Sequence, residues 1–235
     1  MADKIIRNVV RFGISIIVLL TYACMGIVQT HGTPVRTENI TQLIKGKSTK
    51  SDVIFLFGMP SGEILYGMAP IITSGDDKIY VYGQCKTQTK SRASAASFIP
   101  IVGLFAGGAT AKSETACEQL AIMLDKNDIV KTYSYHPDDP VNEENTAKLI
   151  NGKSTKSDVV ELFGAPTTVS ADDKEEIYMY EKCLGSSKVG TGLATFGVSS
   201  SSSCKKLMIM LDRNTEAVIR YSYQPYVSTE RIRIE

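Results

Sequence analysis

Hydrophobic and polar positions follow two different periods along this chain, and the same succession occurs twice. Val53, Leu56 and Phe57 stand at i, i+3 and i+4, a spacing that aligns three apolar side chains on one stripe of a helix. Thr49 ahead of them offers an N-cap, and Asp52 falls in the first turn, where negative charge is favoured. Gly58 and Pro60 supply the stop. A shorter helix is expected near residues 38–45, ended by Gly46. The period then changes. Residues 79–82 are β-branched and aromatic, residues 120–124 are a continuous apolar run, and residues 129–135 resume after the turn-forming Asp125-Lys-Asn-Asp128. The order α-α-β-β-β predicts an α+β unit of two layers, a three-stranded antiparallel sheet with two helices on one face.

That unit is duplicated. Leu43-Ile-Lys-Gly-Lys-Ser-Thr-Lys-Ser-Asp-Val-Ile-Phe-Leu-Phe-Gly-Met-Pro60 matches Leu149-Ile-Asn-Gly-Lys-Ser-Thr-Lys-Ser-Asp-Val-Val-Glu-Leu-Phe-Gly-Ala-Pro166 at a constant offset of 106, with 14 of 18 positions identical. The match continues from Ile79-Tyr-Val-Tyr82 to Ile177-Tyr-Met-Tyr180, from Met123-Leu-Asp125 to Met210-Leu-Asp212, and from Tyr133-Ser-Tyr135 to Tyr221-Ser-Tyr223. The organisation expected is a signal peptide (1–23), an N-terminal linker (24–37), a first repeat (38–136) with an insertion at 86–116, and a linker (137–142). A second repeat (143–225) with an insertion at 184–203 and a C-terminal tail (226–235) complete it. One difference between the copies stands out. Phe55 is replaced by Glu161, which places Phe55 off the shared apolar stripe, either between the copies, on a partner surface, or simply in solvent.

The leader sets the expected compartment. Lys4, Arg7 and Arg11 precede an apolar run at residues 12–23, the layout of a cleaved export signal. Twelve helical residues reach about 18 Å against a hydrocarbon core of roughly 30 Å, too short to span. Composition narrows the rest. Hydrophobic residues make up 43% and charged residues 22%, so a packed core is expected. With 26 basic against 25 acidic side chains the net charge is +1, which removes the electrostatic warrant for nucleic acid as a partner. His31 and His136 read as solvated, Asp76-Asp77 reads as a turn, and the strand tyrosines read as half-buried. No catalytic residues, metal ligands, cofactor loop or small-molecule substrate site is evident, so no enzyme activity and no cofactor are expected.

Gly46, Thr49, Val53, Leu56, Gly58 and Pro60, each with a counterpart 106 residues on and followed by a strand meander, look like the SmpA/OmlA (BamE) domain of outer-membrane lipoproteins. The tandem arrangement is also similar to that of the beta-lactamase inhibitor protein. The end of the leader, Leu20-Thr-Tyr-Ala-Cys24, resembles the lipobox of bacterial lipoproteins, in which the cysteine is acylated. That resemblance implies lipidation of Cys24 and an anchor at the periplasmic face of the outer membrane. A plain signal peptide that discards Cys24 is the competing reading.

Five cysteines then divide neatly. Cys85 and Cys117 flank the expected first hairpin, and Cys183 and Cys204 flank the second, positions from which two disulfides can close in an oxidising compartment. A four-thiolate zinc site is the alternative, without the usual CxxC spacing. Inside the hairpin insertions, Phe98, Ile99, Ile101, Val102, Leu104 and Phe105, with Phe196 in the second copy, form apolar tips. Such tips meet a membrane or a partner protein, or fold back over their own sheet. The function expected is that of a non-enzymatic scaffold or binding module in an envelope complex, with membrane lipid and envelope or outer-membrane proteins as partners. A secreted inhibitor that covers another protein's active site is the alternative.

Overall fold

The computed structural model describes residues 27–60, 69–93, 108–192 and 195–234. Each copy opens with two helices, α1 (Thr37–Ile40) and α2 (Lys50–Phe57) in the first, α3 (Glu143–Thr146) and α4 (Lys156–Phe163) in the second. At the start of α2 the Asp52 N–H donates to the Thr49 hydroxyl at 3.3 Å while the Thr49 N–H donates to the Asp52 carboxylate at 2.7 Å. Those two bonds satisfy two backbone donors that a helix end leaves open. They also hold the Asp52 carboxyl below its ordinary value, the Thr49 backbone first and its hydroxyl second. Thr155 and Asp158 repeat the box on α4. Gly58 ends α2 with a φ of 82°, a region open to glycine at little cost.

The expected two-layer α+β unit, with two helices on three strands, is overturned by the strand content. The chain is mostly β, and the described helices are four or eight residues long. Nine strands are described: β1 (Ile27–Gly32), β2 (Ile71–Ser74), β3 (Asp77–Ala93), β4 (Gly108–Leu124), β5 (Val130–His136), β6 (Thr168–Ala171), β7 (Glu175–Gly192), β8 (Thr195–Asp212) and β9 (Val218–Ile234). The hairpins do not stop at the cysteines. Cys85 pairs with Cys117 midway along β3 and β4, and the ladder runs on to Ala93 opposite Ala109. The residues beyond the cysteines alternate polar types, as in Thr87-Gln-Thr89, and so carry no apolar period to announce a strand. The ladder is nonetheless complete, and the Thr87 and Thr115 hydroxyls meet across it at 3.0 Å. Two further segments read as linker and tail also pair: residues 27–32 form β1 on the edge of β3, and β9 extends through Ile234.

All pairings among the described strands are antiparallel. The strands form one sheet for each copy, sheet 1 from β2 to β5 and sheet 2 from β6 to β9. The two join where residues 108–112 of β4 pair with residues 186–190 of β7, giving the path β1-β3-β4-β7-β8-β9.

Packing stacks the copies. Val53 and Leu56 of α2 cover Tyr80, Tyr82, Leu120 and Ile122 on one face of sheet 1. Because strand side chains alternate, Ile79, Val81, Ala121 and Met123 point to the other face. They join a second core with Val159, Val160 and Phe163 of α4 and Tyr178, Tyr180, Leu207 and Ile209 of sheet 2. The layers therefore run α2, sheet 1, α4, sheet 2. Helix α4 is buried on two sides, and α2 on one.

Val160 is fully buried at this seam, and its carbonyl accepts a hydrogen bond from the Ser134 hydroxyl at 2.7 Å. Val160→Asp places a carboxylate where no water reaches and is expected to lower the unfolding free energy by about 3 kcal/mol, measured by urea titration.

Candidate functional site

Two constellations in the described residues bring reactive side chains together, the cysteine pairs and a buried ion cluster at the seam. Cys85 and Cys117 form a disulfide across directly opposed strand positions with Cα atoms 4.1 Å apart, and Cys183 and Cys204 form its counterpart at 4.0 Å. Both expected pairings are therefore present. Sequence separations of 32 and 21 give roughly 3 to 4 kcal/mol of stabilisation per bridge in the chain-entropy treatment.

The ion cluster went unread in the sequence. Lys156, in the first turn of α4, is 4% exposed, and its ammonium lies 2.9 Å from Glu176, 3.7 Å from Asp77 and 3.9 Å from Glu216. It also donates to the Ser74 carbonyl at 3.3 Å. Lys131 closes the cluster, 3.2 Å from Asp77 and 2.6 Å from Glu216. Asp77, Ser74 and Lys131 belong to the first copy; Lys156, Glu176 and Glu216 belong to the second. Burial acts to lower the Lys131 pKa, but the hydrogen bonds and charges of Glu216 and Asp77 outweigh it and leave the ammonium favoured. Beside the cluster the Ser74 and Tyr178 hydroxyls meet at 2.5 Å, and burial pushes the Tyr178 phenol well above its ordinary value. An ammonium thus sits where three carboxylates would otherwise draw a cation. Among the described residues no group of three or more His, Cys, Asp or Glu side chains is arranged to hold a metal ion.

Asp77 is accordingly no turn residue in solvent. It opens β3 at 5% exposure and is held by two lysines. His136, read as solvated, is half-buried at the end of β5, with its Nε2 enclosed and without a hydrogen-bond partner among the described residues. Burial lowers its pKa from 6.5, opposed by a hydrogen bond with the Glu161 backbone. Nearby, residues 138–141 of the linker, with Phe163, Ala165 and Tyr180, line a shallow open cleft. Asp139 is pinned there by Lys205 at 3.5 Å and Lys182 at 3.8 Å. Of the strand tyrosines, Tyr133, Tyr135, Tyr221 and Tyr223 are half-buried as expected, whereas Tyr80, Tyr82, Tyr178 and Tyr180 are buried, at 9% exposure or less.

The remaining sequence-derived residues fall differently. Cys24 and the tip residues Phe98, Ile99, Ile101, Val102, Leu104 and Phe105 lie outside the described residues. Phe196 is in β8, its backbone opposite Thr191 and Ile234. Phe55 is 88% exposed and does not lie between the copies. Met59, two residues past the end of α2, is 63% exposed, and Ile44 is 53% exposed. Helix α2, the more apolar of the matched pair, thus turns Phe55 to solvent, whereas α4 carries Glu161 at the same place and lies between two sheets.

Compared with protein-family models, curated proteins and solved structures, the chain has no match.

Lys156→Met removes the central ammonium and leaves buried carboxylates without their partner. A loss of about 3 to 5 kcal/mol in unfolding free energy is expected by chemical denaturation at neutral pH. His136 gives a separate pH signature. Its folded pKa lies below the unfolded value, so between the two the unfolded chain binds more protons. The contribution is complete above pH 6.5 and is lost as pH falls toward the folded value. Thermal melts from pH 7.5 to 5 should show wild type losing more stability than His136→Gln, the residue that Gln224 supplies at the matching place in β9.

Proposed function

We propose that the chain is a non-enzymatic lipoprotein of the bacterial envelope, held at the periplasmic face of the outer membrane through an acylated Cys24, and that it serves as a scaffold or binding module in an envelope protein complex. The observation that carries this reading is the pair of disulfides at matched positions in both copies. Such bonds persist in oxidising compartments, and they leave Cys24, directly after an export-type leader, as the unpaired fifth cysteine. The densest set of charges in the described residues joins the copies to each other, which supports a binding role over a chemical one. The BamE-like motif residues, repeated at an offset of 106, support the same class.

The test is an intact mass of the full chain expressed in a Gram-negative host. A mature chain beginning at acylated Cys24, which gains four alkyl groups only after reduction, is expected. Cys24→Ala is expected to leave the membrane fraction. Release of unmodified wild-type chain into the medium favours the secreted-inhibitor alternative, and an uncleaved chain with free thiols overturns both.

A further inference from the structure

The seam between the copies is a template, and each half of it recurs at an end of the stack, uncovered among the described residues. In the seam, α4 lies on the outer face of sheet 1, where Ile79, Met123 and Thr132 form one row and Val81, Ala121 and Ser134 the next. The matching rows on the outer face of sheet 2 are Ile177, Met210 and Arg220, then Met179, Met208 and Ser222. The six sheet 1 residues are 0–6% exposed because α4 covers them. On sheet 2, Ile177, Met179 and Met208 remain half-exposed, and Met210 is shielded by Arg220, whose Nε donates to its Sδ at 2.7 Å. At the other end, the outer side of α2 presents Phe55 and Met59 where α4 presents the seam residues Glu161 and Ala165.

We propose that the protein assembles head to tail with further copies of itself, α2 of one chain docking on the outer face of sheet 2 of the next. The occupant is set by the repeat, because docking α2 in the pose of α4 reproduces the internal contacts. Ser222 then reaches the Ile54 carbonyl as Ser134 reaches that of Val160 at 2.7 Å. Lys50 faces Glu175 as Lys156 faces Asp77 at 3.7 Å, so the opposite charges are kept. Where Glu161 meets Lys45 at 2.8 Å and Thr132 at 3.3 Å, Phe55 meets Asn151 and Arg220, and a guanidinium over a phenyl ring replaces the ion pair. The matched residues are larger on both faces, Ile54 and Met59 against Val160 and Ala165, Met179 and Met208 against Val81 and Ala121, so α2 stands farther from the sheet than α4 does and the flexible methionines fill the space. Solenoids end in polar faces where they stop, whereas the positions that correspond to the seam carry Phe55 and Met59 at one end and Ile177, Met179 and Met208 at the other. The contact is heterologous, so it continues as an open filament or closes as a ring. It goes beyond the envelope reading and does not depend on the anchor.

The experiment uses the full chain, purified in mild detergent, with mass by light scattering across a dilution series. Wild type is expected at two-fold the single-chain mass or more, rising with concentration. Phe55→Lys, which sets an ammonium against Arg220, and Met179→Arg, each at an exposed or half-exposed position, are expected to be single chains with both disulfides intact and unchanged melting temperatures. Mixing the two variants restores a two-fold mass, one F55K chain with one M179R chain, and no larger species. A photocrosslinker at position 55 is expected to capture a peptide containing Met179 or Met208 from a second isotopically labelled chain. A wild type that stays a single chain, as when another segment of its own chain or a different protein covers α2, overturns the proposal. So does self-association of M179R alone, which marks a helix-to-helix dimer, or failure of the mixture to pair.

Discussion

Sheet 1 is apolar on both faces, and the arrangement of the copies follows from that. Tyr80, Tyr82, Leu120 and Ile122 are covered by α2 of the same copy, which leaves Ile79, Val81, Ala121 and Met123 facing away. Burying a side chain of this kind contributes about 1.5 to 3 kcal/mol, so four of them exclude an arrangement in which the copies swing freely on the linker. Helix α4 supplies the cover. The linker between the copies is short, and Asp139 within it is tied to Lys205 and Lys182 of sheet 2, so the second copy is delivered onto the first rather than beside it.

Apolar contact fixes that the seam closes; the charges fix how. A lysine and three carboxylates gain little over a well-packed apolar cluster, since desolvation offsets most of their attraction. Their effect lies in the alternatives. A slide of α4 with its own sheet along sheet 1 separates Lys156 from Asp77 and Lys131 from Glu216, the two pairs that cross between the copies. The disulfides act in the same sense within each hairpin. A slip of one residue in β3 against β4 would exchange the two faces of sheet 1, and the bond between Cys85 and Cys117 forbids it. Register within each sheet and register between copies are thus set by separate chemistry.

How much of this the residues announce depends on how local the cause is. The capping boxes at Thr49 and Thr155, the stops at Gly58 and Gly164, the turns at Asp125 and Asp212 and the cysteine pairings are all readable, because each depends on neighbours within a few positions or on one repeated spacing. The long arms of β3 and β4 are not readable, since Thr87 and Thr115 satisfy each other across the ladder without any apolar alternation. Residues 27–32 fail for a related reason. An edge strand is defined by what it pairs with, and its own sequence is that of a linker. The ion cluster is hidden by the repeat itself. Lys50 and Lys156 occupy one motif position, and only the stacking of the copies buries the second of them.

Differences between the copies therefore carry information that their identities do not. Where α4 enters the seam, the matched positions hold Glu161 and Ala165, a charge that reaches Lys45 and a residue small enough to let the linker and β4 close in. Where α2 faces outward, they hold Phe55 and Met59. Glu161 lies at the rim of the seam with its side chain 52% exposed, so its charge follows the usual order of inside and outside, whereas Phe55 at 88% exposure departs from it. The departure is accounted for if the outer face is a seam of its own, with an arginine opposite the ring and methionines in place of valine and alanine. Lys78 and Glu176 extend the same logic to the sheets. At one matched strand position the first copy carries a cation paired outward with Asp128, and the second a carboxylate turned inward to Lys156. One motif, used twice, has thereby become two surfaces with different partners, and the specificity lies in the few positions at which the copies part.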